Sequence, residues 1–123
     1  MNYKLWYDKE AGAAFVKILN RLTEDDARNV MSQANEMLAD KEHSYLVCDC
    51  SKGTRNMVDR GARKAFMKDA DPAVYDKIAM FGADSSVRML AKVILTLTGV
   101  SKKARFFKTE REAIGWLTKD VGQ

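Results

Sequence analysis

From residue 13 onward, short runs of β-forming residues alternate with longer stretches of helical periodicity, and no other feature constrains the fold so tightly. The runs are 13–19, carrying Phe15, Val16, Ile18 and Leu19; 45–50, Tyr45-Leu46-Val47-Cys48-Asp49-Cys50; 77–82, Lys77-Ile78-Ala79-Met80-Phe81-Gly82; and 104–107, Ala104-Arg105-Phe106-Phe107. Strands separated by a helix pair in parallel, because the connecting segment crosses over the sheet, and it does so with right-handed sense. The short apolar run 45–50 suits a central strand buried on both faces. One further strand, 3–8, precedes a short turn at Lys9-Glu10-Ala11-Gly12 and reads as the outer half of a hairpin with 13–19. The resulting order is ββαβαβαβα, an α/β domain over residues 1–123 with a mostly parallel central sheet.

Helix starts are marked by their chemistry. Thr23-Glu24-Asp25-Asp26 places a Thr cap three residues before a carboxylate, in the first turn where the helix dipole favours negative charge. Ala27, Val30, Met31, Ala34 and Leu38 then recur at helical spacing and predict a helix over 24–41. A second helical stretch runs over 58–68, and Asp71-Pro72, an Asp cap with Pro at the first helical position, predicts another start. Asp84-Ser85-Ser86 caps a long helix that reaches Thr98 and stops at Gly99. Thr109-Glu110-Arg111-Glu112 opens the last helix, with Ala113, Ile114 and Leu117 inward.

Composition excludes several classes. A chain of 123 residues buries about two-thirds of its unfolded surface, so no disulfide or metal staple is needed. With 46% apolar and 31% charged residues and one proline, it has the make-up of a globular protein rather than a disordered one. No apolar stretch approaches the ~18–20 residues of a bilayer span, so no stable membrane insertion is expected. Residues 3–8 alternate like a strand and do not form a signal-peptide core. Cys48 and Cys50 stand two apart on one strand with parallel side chains, which is poor disulfide geometry. These features predict a cytoplasmic protein.

Charge is uneven. Basic residues number 21 against 17 acidic, but residues 1–50 hold 6 and 9 while residues 51–123 hold 15 and 8. That polarity fits an anionic protein partner or membrane surface, though a solvated surface is the plainer account. Nucleic acid would call for aromatic platforms among the cations. Phe106-Phe107 is the one such pair and is better explained by a strand filling a core, so no nucleic acid is expected.

The stretch 77–117 resembles the SpoIIAA-like family, relatives of the STAS domain: a KIAMFG strand, a polar cap, the helix VRMLAKVILTLTG with its early Arg, the strand ARFF and the helix EREAIGWL. The helix start at 22–27, a strand ending in Asp49 and the Ala62-Arg63 pair in the next helix extend the likeness over nearly the whole chain. The resemblance implies a β-α superhelix shared with anti-sigma-factor antagonists and, more distantly, with CRAL-TRIO lipid-transfer domains. It implies protein–protein binding without enzymatic activity or a cofactor. In the antagonists a Ser is phosphorylated at the start of the helix after the Asp-ended strand. Asp49-Cys50-Ser51 matches that strand end, but residues 56–61 contain no Ser or Thr, so no phosphoacceptor is carried over.

Apart from that resemblance, the loop 51–56 and the helix start at 83–86 follow apolar strands, and both should project at the carboxyl ends of a parallel sheet, where open α/β folds bind ligands. Free amides at Asp84, Ser85 and Ser86, helped by Lys52, Arg55, Arg60 and Arg88, could hold an anion. The plainer account is that Asp84 or Ser85 caps its helix and the cations are solvated. Asp49 beside Ser51 is best explained as stabilising a turn. The sole histidine, His43, precedes a strand, and no nucleophile–base pair emerges. Two Cys and one His have no ligand spacing for a metal. The candidate binding residues are therefore Asp49, Ser51, Lys52, Arg55, Asp84, Ser85, Ser86 and Arg88, with no catalytic or metal set.

The helix over 87–97 is apolar around most of its circumference. Val87, Leu90, Ala91 and Ile94 suffice to pack it on a sheet, leaving Met89, Val93 and Leu97 as a second stripe. Three accounts compete: cover by a neighbouring helix such as the C-terminal one with Trp116, a homodimer interface, or the wall of an acyl-chain pocket. The leading expectation is a non-enzymatic domain that binds a protein partner and self-associates through that stripe. The alternative is a carrier or sensor of a lipid or small apolar anion. A hydrolase or transferase would need a dry pocket joining Asp49, Ser51 and Ser85.

Overall fold

A computed structural model describes residues 1–53 and 56–119. A hairpin of β1 (Tyr3–Asp8) and β2 (Ala13–Ile18) leads into α1 (Glu24–Leu38), β3 (Tyr45–Asp49), α2 (Arg60–Asp69), β4 (Lys77–Phe81), α3 (Ser85–Thr98), β5 (Ala104–Phe107) and α4 (Glu110–Thr118). The five strands form one sheet in chain order, β1 antiparallel to β2 and every later pair parallel. This is the ββαβαβαβα order expected, with a mostly parallel sheet.

Strand order dictates the layers. Each crossover steps to the next strand in one direction with one hand, so α1, α2 and α3 fall on the same face. α4 has no further strand to reach and folds back over the opposite face. The two-residue alternation of each strand serves both sides. Ala14, Val16, Leu46, Ile78 and Met80 pack with Ala27, Val30, Ala62, Val87 and Ala91 of the three helices. Their neighbours Ala13, Phe15, Tyr45, Val47 and Ala79 pack with Ala113 and Leu117 of α4.

The start of α1 is a capping box tied to the N-terminus. The Asp26 amide donates to Thr23 Oγ1 at 3.2 Å, and Asp26 Oδ2 accepts from the Thr23 amide at 2.9 Å and from Asn2 Nδ2 at 2.7 Å. Burial pulls the Asp26 carboxyl upward, but these hydrogen bonds from Thr23 and Asn2 outweigh it and hold the group below its ordinary value. α2 presses closely on α1: a Cβ at Gly61 would stand 3.1 Å from Glu24 Cβ.

Four expectations need correction. Val58 does not begin a helix; it is extended and bridged to Leu22, with the Leu22 amide donating to the Met57 carbonyl at 2.7 Å. The helix starts at Arg60 because Asp59 caps it, accepting from the Ala62 amide at 2.7 Å. Asp71-Pro72 opens only a single 3₁₀ turn, Pro72–Val74. Tyr75 must then be buried and the Asp76 amide is already bonded to the Ser44 carbonyl at 2.9 Å, which leads straight into β4. α1 ends at Leu38 rather than at residue 41. Finally, α4 lies across the sheet from α3, so Trp116 cannot cover Met89, Val93 and Leu97. Among the described residues no helix is long and apolar enough to cross a membrane.

Candidate functional site

β3 and β4 run side by side in parallel, with Asp49 opposite Phe81, so the segments that follow them emerge together. Asp49 Oδ1 accepts from the Ser51 amide at 2.9 Å and from Ser51 Oγ at 2.6 Å, and the Gly53 amide closes a turn on the Cys50 carbonyl at 2.9 Å. The carboxylate is thus spent on holding its own loop, the turn role expected of it. Gly82 completes the rim. Its φ is +79°, and a Cβ there would lie 2.9 Å from Ser51 Cβ and 3.0 Å from Ser51 Cα. Only glycine lets the two segments approach this closely.

Asp84 caps α3, accepting from the Val87 amide at 2.9 Å, and Ser85 and Ser86 stand exposed in its first turn. Asp49, Ser51 and Lys52 therefore share one rim with Asp84, Ser85 and Ser86. Arg55 lies outside the described residues. Arg88 reaches over β5: its guanidinium carbon sits 5.7 Å from the Phe106 ring centre, and among the described residues its buried Nε has no partner. Lys92 approaches the same ring at 5.9 Å. His43 precedes β3, at the end of the strand away from Ser51, with the four-step rise of β3, about 13 Å, between the two strand ends.

Two concave spaces lie on the three-helix side. A groove of about 390 Å³ runs beside the first turn of α3 and is lined by Arg21, Arg63, Ser86, Met89, Leu90 and Val93, with Asn56 and Val58. An apolar pocket of about 150 Å³ lies between the sheet, α2 and α3. Neither space is lined by Asp49, Ser51 or Ser85. Half-buried Cys48 borders the pocket, and burial, reinforced by Cys50 and Asp49, pushes its thiol well above the ordinary value. Burial and then Asp49 push Cys50 up to about 12. Both cysteines are free.

The outer face of α3 is bare. Met89 is 71% exposed, Val93 57% and Leu97 63%, one turn apart along the helix. Met89 and Val93 also line the groove, so the stripe and the rim, separate in the sequence, meet at Ser86. Arg21 was missed as a candidate, and nothing in its surroundings along the chain marks it. Arg63 stands in the run Arg60, Arg63, Lys64, Lys68, whose spacing can line one basic helix face.

A SpoIIAA-like family model matches residues 14–118. The chain belongs to the SpoIIAA-like family. Two solved structures share the fold of this SpoIIAA-like chain. One is an uncharacterised protein with a SpoIIAA-like fold from Shewanella loihica PV-4, 16% identical, covering 94% of this chain and 91% of its own, at a TM-score of 0.64. The other is the anti-sigma factor antagonist SpoIIAA in its unphosphorylated form, 11% identical, covering 95% and 96%, at a TM-score of 0.59. No curated protein matches significantly. In this SpoIIAA-like chain α2 opens with Asp59 as cap, then Arg60, Gly61 and Ala62, so its first turn carries no hydroxyl.

Proposed function

We propose that this SpoIIAA-like domain is a regulatory, non-enzymatic module that docks a protein partner with an acidic rim through the outer face of α3. The observation that carries the reading is the exposed stripe of Met89, Val93 and Leu97 at one-turn spacing. Contiguous exposed apolar surface of this kind marks association sites. Arg21 and Arg63 flank it in the groove, and exposed Arg60, Lys64 and Lys68 extend the positive charge along α2. The relation to an anti-sigma factor antagonist supports a role exercised by binding. The non-enzymatic reading is supported by Asp49 being engaged in its own turn and by the distance of His43 from Ser51. A reducing, cytoplasmic setting belongs to the same proposal, in keeping with two free thiols side by side.

Val93→Glu puts a charge at the centre of the stripe, and at an exposed position it should alter stability by no more than about 0.5 kcal/mol. Affinity capture from the native cell should retain an acidic partner on the wild-type chain and lose it on the variant. Identical captured sets on both would overturn the reading. Sedimentation velocity of the pure chain at high micromolar concentration decides whether the stripe also joins two copies: a monomer throughout removes the homodimer.

A further inference from the structure

The sheet ends at β5, whose outer side meets no other strand among the described residues. Successive peptide groups of a strand point to opposite sides. The Phe107 carbonyl accepts from the Gly82 amide at 3.2 Å, so Phe107 and Arg105 turn their groups toward β4. Ala104 and Phe106 turn theirs outward. The Ala104 amide is used locally, donating to the Ser101 carbonyl, but no backbone group of the described residues bonds the Ala104 carbonyl or either group of Phe106. No residue of β5 is fully buried, whereas β3 and β4 bury three each. Open backbone of this kind is where another extended chain adds itself to a sheet.

The surroundings of this edge are positive on both faces of the sheet. On the helix side, the Arg88 guanidinium carbon lies 5.7 Å and the Lys92 Nζ 5.9 Å from the Phe106 ring centre. On the α4 side, the Arg105 guanidinium carbon lies 5.3 Å from the Trp116 ring centre. Lys102 and Lys108 stand exposed just before and just after the strand. Among the described residues none of these cations is in an ion pair. The next carboxylates along the chain, Glu110 and Glu112, belong to the first turn of α4, where Glu112 accepts from the Thr109 hydroxyl at 3.2 Å. The opposite edge differs, for β1 carries Lys4 and Asp8, charges of opposite sign.

We propose that β5 is a docking edge for an acidic extended peptide, which adds a strand to the sheet beside Phe106. Charge selects the occupant. A second copy paired along β5 would bring Arg105 and Lys108 against cations of the same strand, and like charges side by side repel. A neutral strand would gain the backbone bonds and leave the cations unanswered. An anionic lipid surface would answer the cations and leave the Ala104 and Phe106 carbonyls without donors. A peptide with carboxylates at successive positions meets every demand, because its side chains alternate between the two faces. One carboxylate comes beside Arg88 and Lys92, and the next beside Arg105. This edge is separate from the α3 stripe: Met89 and Val93 follow Arg88 and Lys92 by one residue, about 100° around the helix.

The test uses the whole chain and the end-blocked peptide Thr-Glu-Glu-Val-Glu-Glu-Thr at low ionic strength, with amide exchange followed residue by residue. The Phe106 amide should exchange freely in the protein alone and become protected as the peptide saturates, while the Phe107 amide, on the side facing β4, stays protected throughout. A copy of the peptide N-methylated at Val and at the Glu after it keeps the charge but loses a donor whichever of the two faces β5. It should bind about two- to tenfold more weakly, the range of a lost hydrogen bond. Arg105→Glu with Lys108→Glu should weaken the unmodified peptide at least about fivefold, since each reversal turns an exposed attraction into a repulsion. If that pair disturbs folding, Lys102→Glu with Lys108→Glu reads the same charge. Val93→Glu should bind the peptide as the wild type does, so this edge and the α3 stripe fail separately. Unchanged exchange at Phe106 under saturation, or equal affinity for the N-methylated copy or in the charge-reversed variants, would each overturn the proposal. So would protection of Phe106 that grows with protein concentration alone, the mark of two copies pairing, or retention on phosphatidylglycerol vesicles with no peptide bound.

Discussion

Gly82→Ala tests the geometry on which the rim depends. The residue has φ +79°, and the added Cβ would meet Ser51 Cβ at 2.9 Å, Ser51 Cα at 3.0 Å and the Ser51 nitrogen at 3.1 Å. Two costs combine. A left-handed conformation in a residue with a Cβ costs about 1–2 kcal/mol. Forcing a methyl against atoms at the backbone, which cannot rotate aside, adds about 1–3 kcal/mol. The total, about 2–5 kcal/mol, is a large part of the ~5–15 kcal/mol that stabilises a typical domain. Gly12→Ala separates the two contributions. Gly12 has φ +66° with nothing within 4 Å of the new Cβ, so only the conformational cost applies. Urea unfolding followed by the fluorescence of Trp6 and Trp116 reads both. With a slope of about 2 kcal/mol per molar, the middle of the usual range, Gly82→Ala should lower the midpoint by roughly 1–2.5 M and Gly12→Ala by clearly less. Equal midpoints for the two variants would refute the contact between the segments after β3 and β4, and with it the shared rim.

Thr23→Ala removes the hydroxyl that accepts the Asp26 amide and should cost about 1 kcal/mol in the same assay; an unchanged midpoint would count against the capping box. The Asp26 carboxyl lies below its ordinary 3.8, so its contribution to stability is complete above that pH and fades as pH falls through the lower folded value. Asp26→Asn should therefore flatten the acid side of the stability profile, and an unaltered slope would contradict the assignment. Cys50 is raised from 9.0 to about 12 and Tyr75 from 10.0 to about 12, so their contributions are full below the unfolded values and are lost as pH climbs toward 12. Stability should decline on the alkaline side, less steeply in Cys50→Ala. The Cys50 thiol should resist a disulfide reagent at about pH 8 until urea is added; its rapid modification in native Cys48→Ala would refute its burial.

Much of the fold was written in local patterns. Alternating residues such as Ala13 and Phe15 against Ala14 and Val16 mark a strand that serves two layers, and the structure divides them in that way. Thr23, Asp84 and Thr109 mark helix starts because a short oxygen-bearing side chain reaches amides two or three residues ahead, and each one caps its helix. Asp71-Pro72 carries the same local signal yet yields one turn, because burying Tyr75 and pairing β4 leave no length for more. The rim residues Asp49 and Ser51 were legible for the same reason as the caps. Arg88 was not, because its place over Phe106 depends on how far β5 stands from α3.

The amino-acid order alone determined the order of the strands and main helices, that the strands after the first pair in parallel, and the family to which the pattern belongs. These follow from interactions within a turn or two of the chain and from the handedness of a crossover. The tertiary structure alone decided that α4 covers the face opposite α3, that Met89, Val93 and Leu97 stay bare, and that Arg21 and Arg63 meet Ser86 in one groove. An apolar helical stripe reads the same whether covered or open. Residues more than forty positions apart become neighbours only when layers pack, at spacings set by every side chain between them.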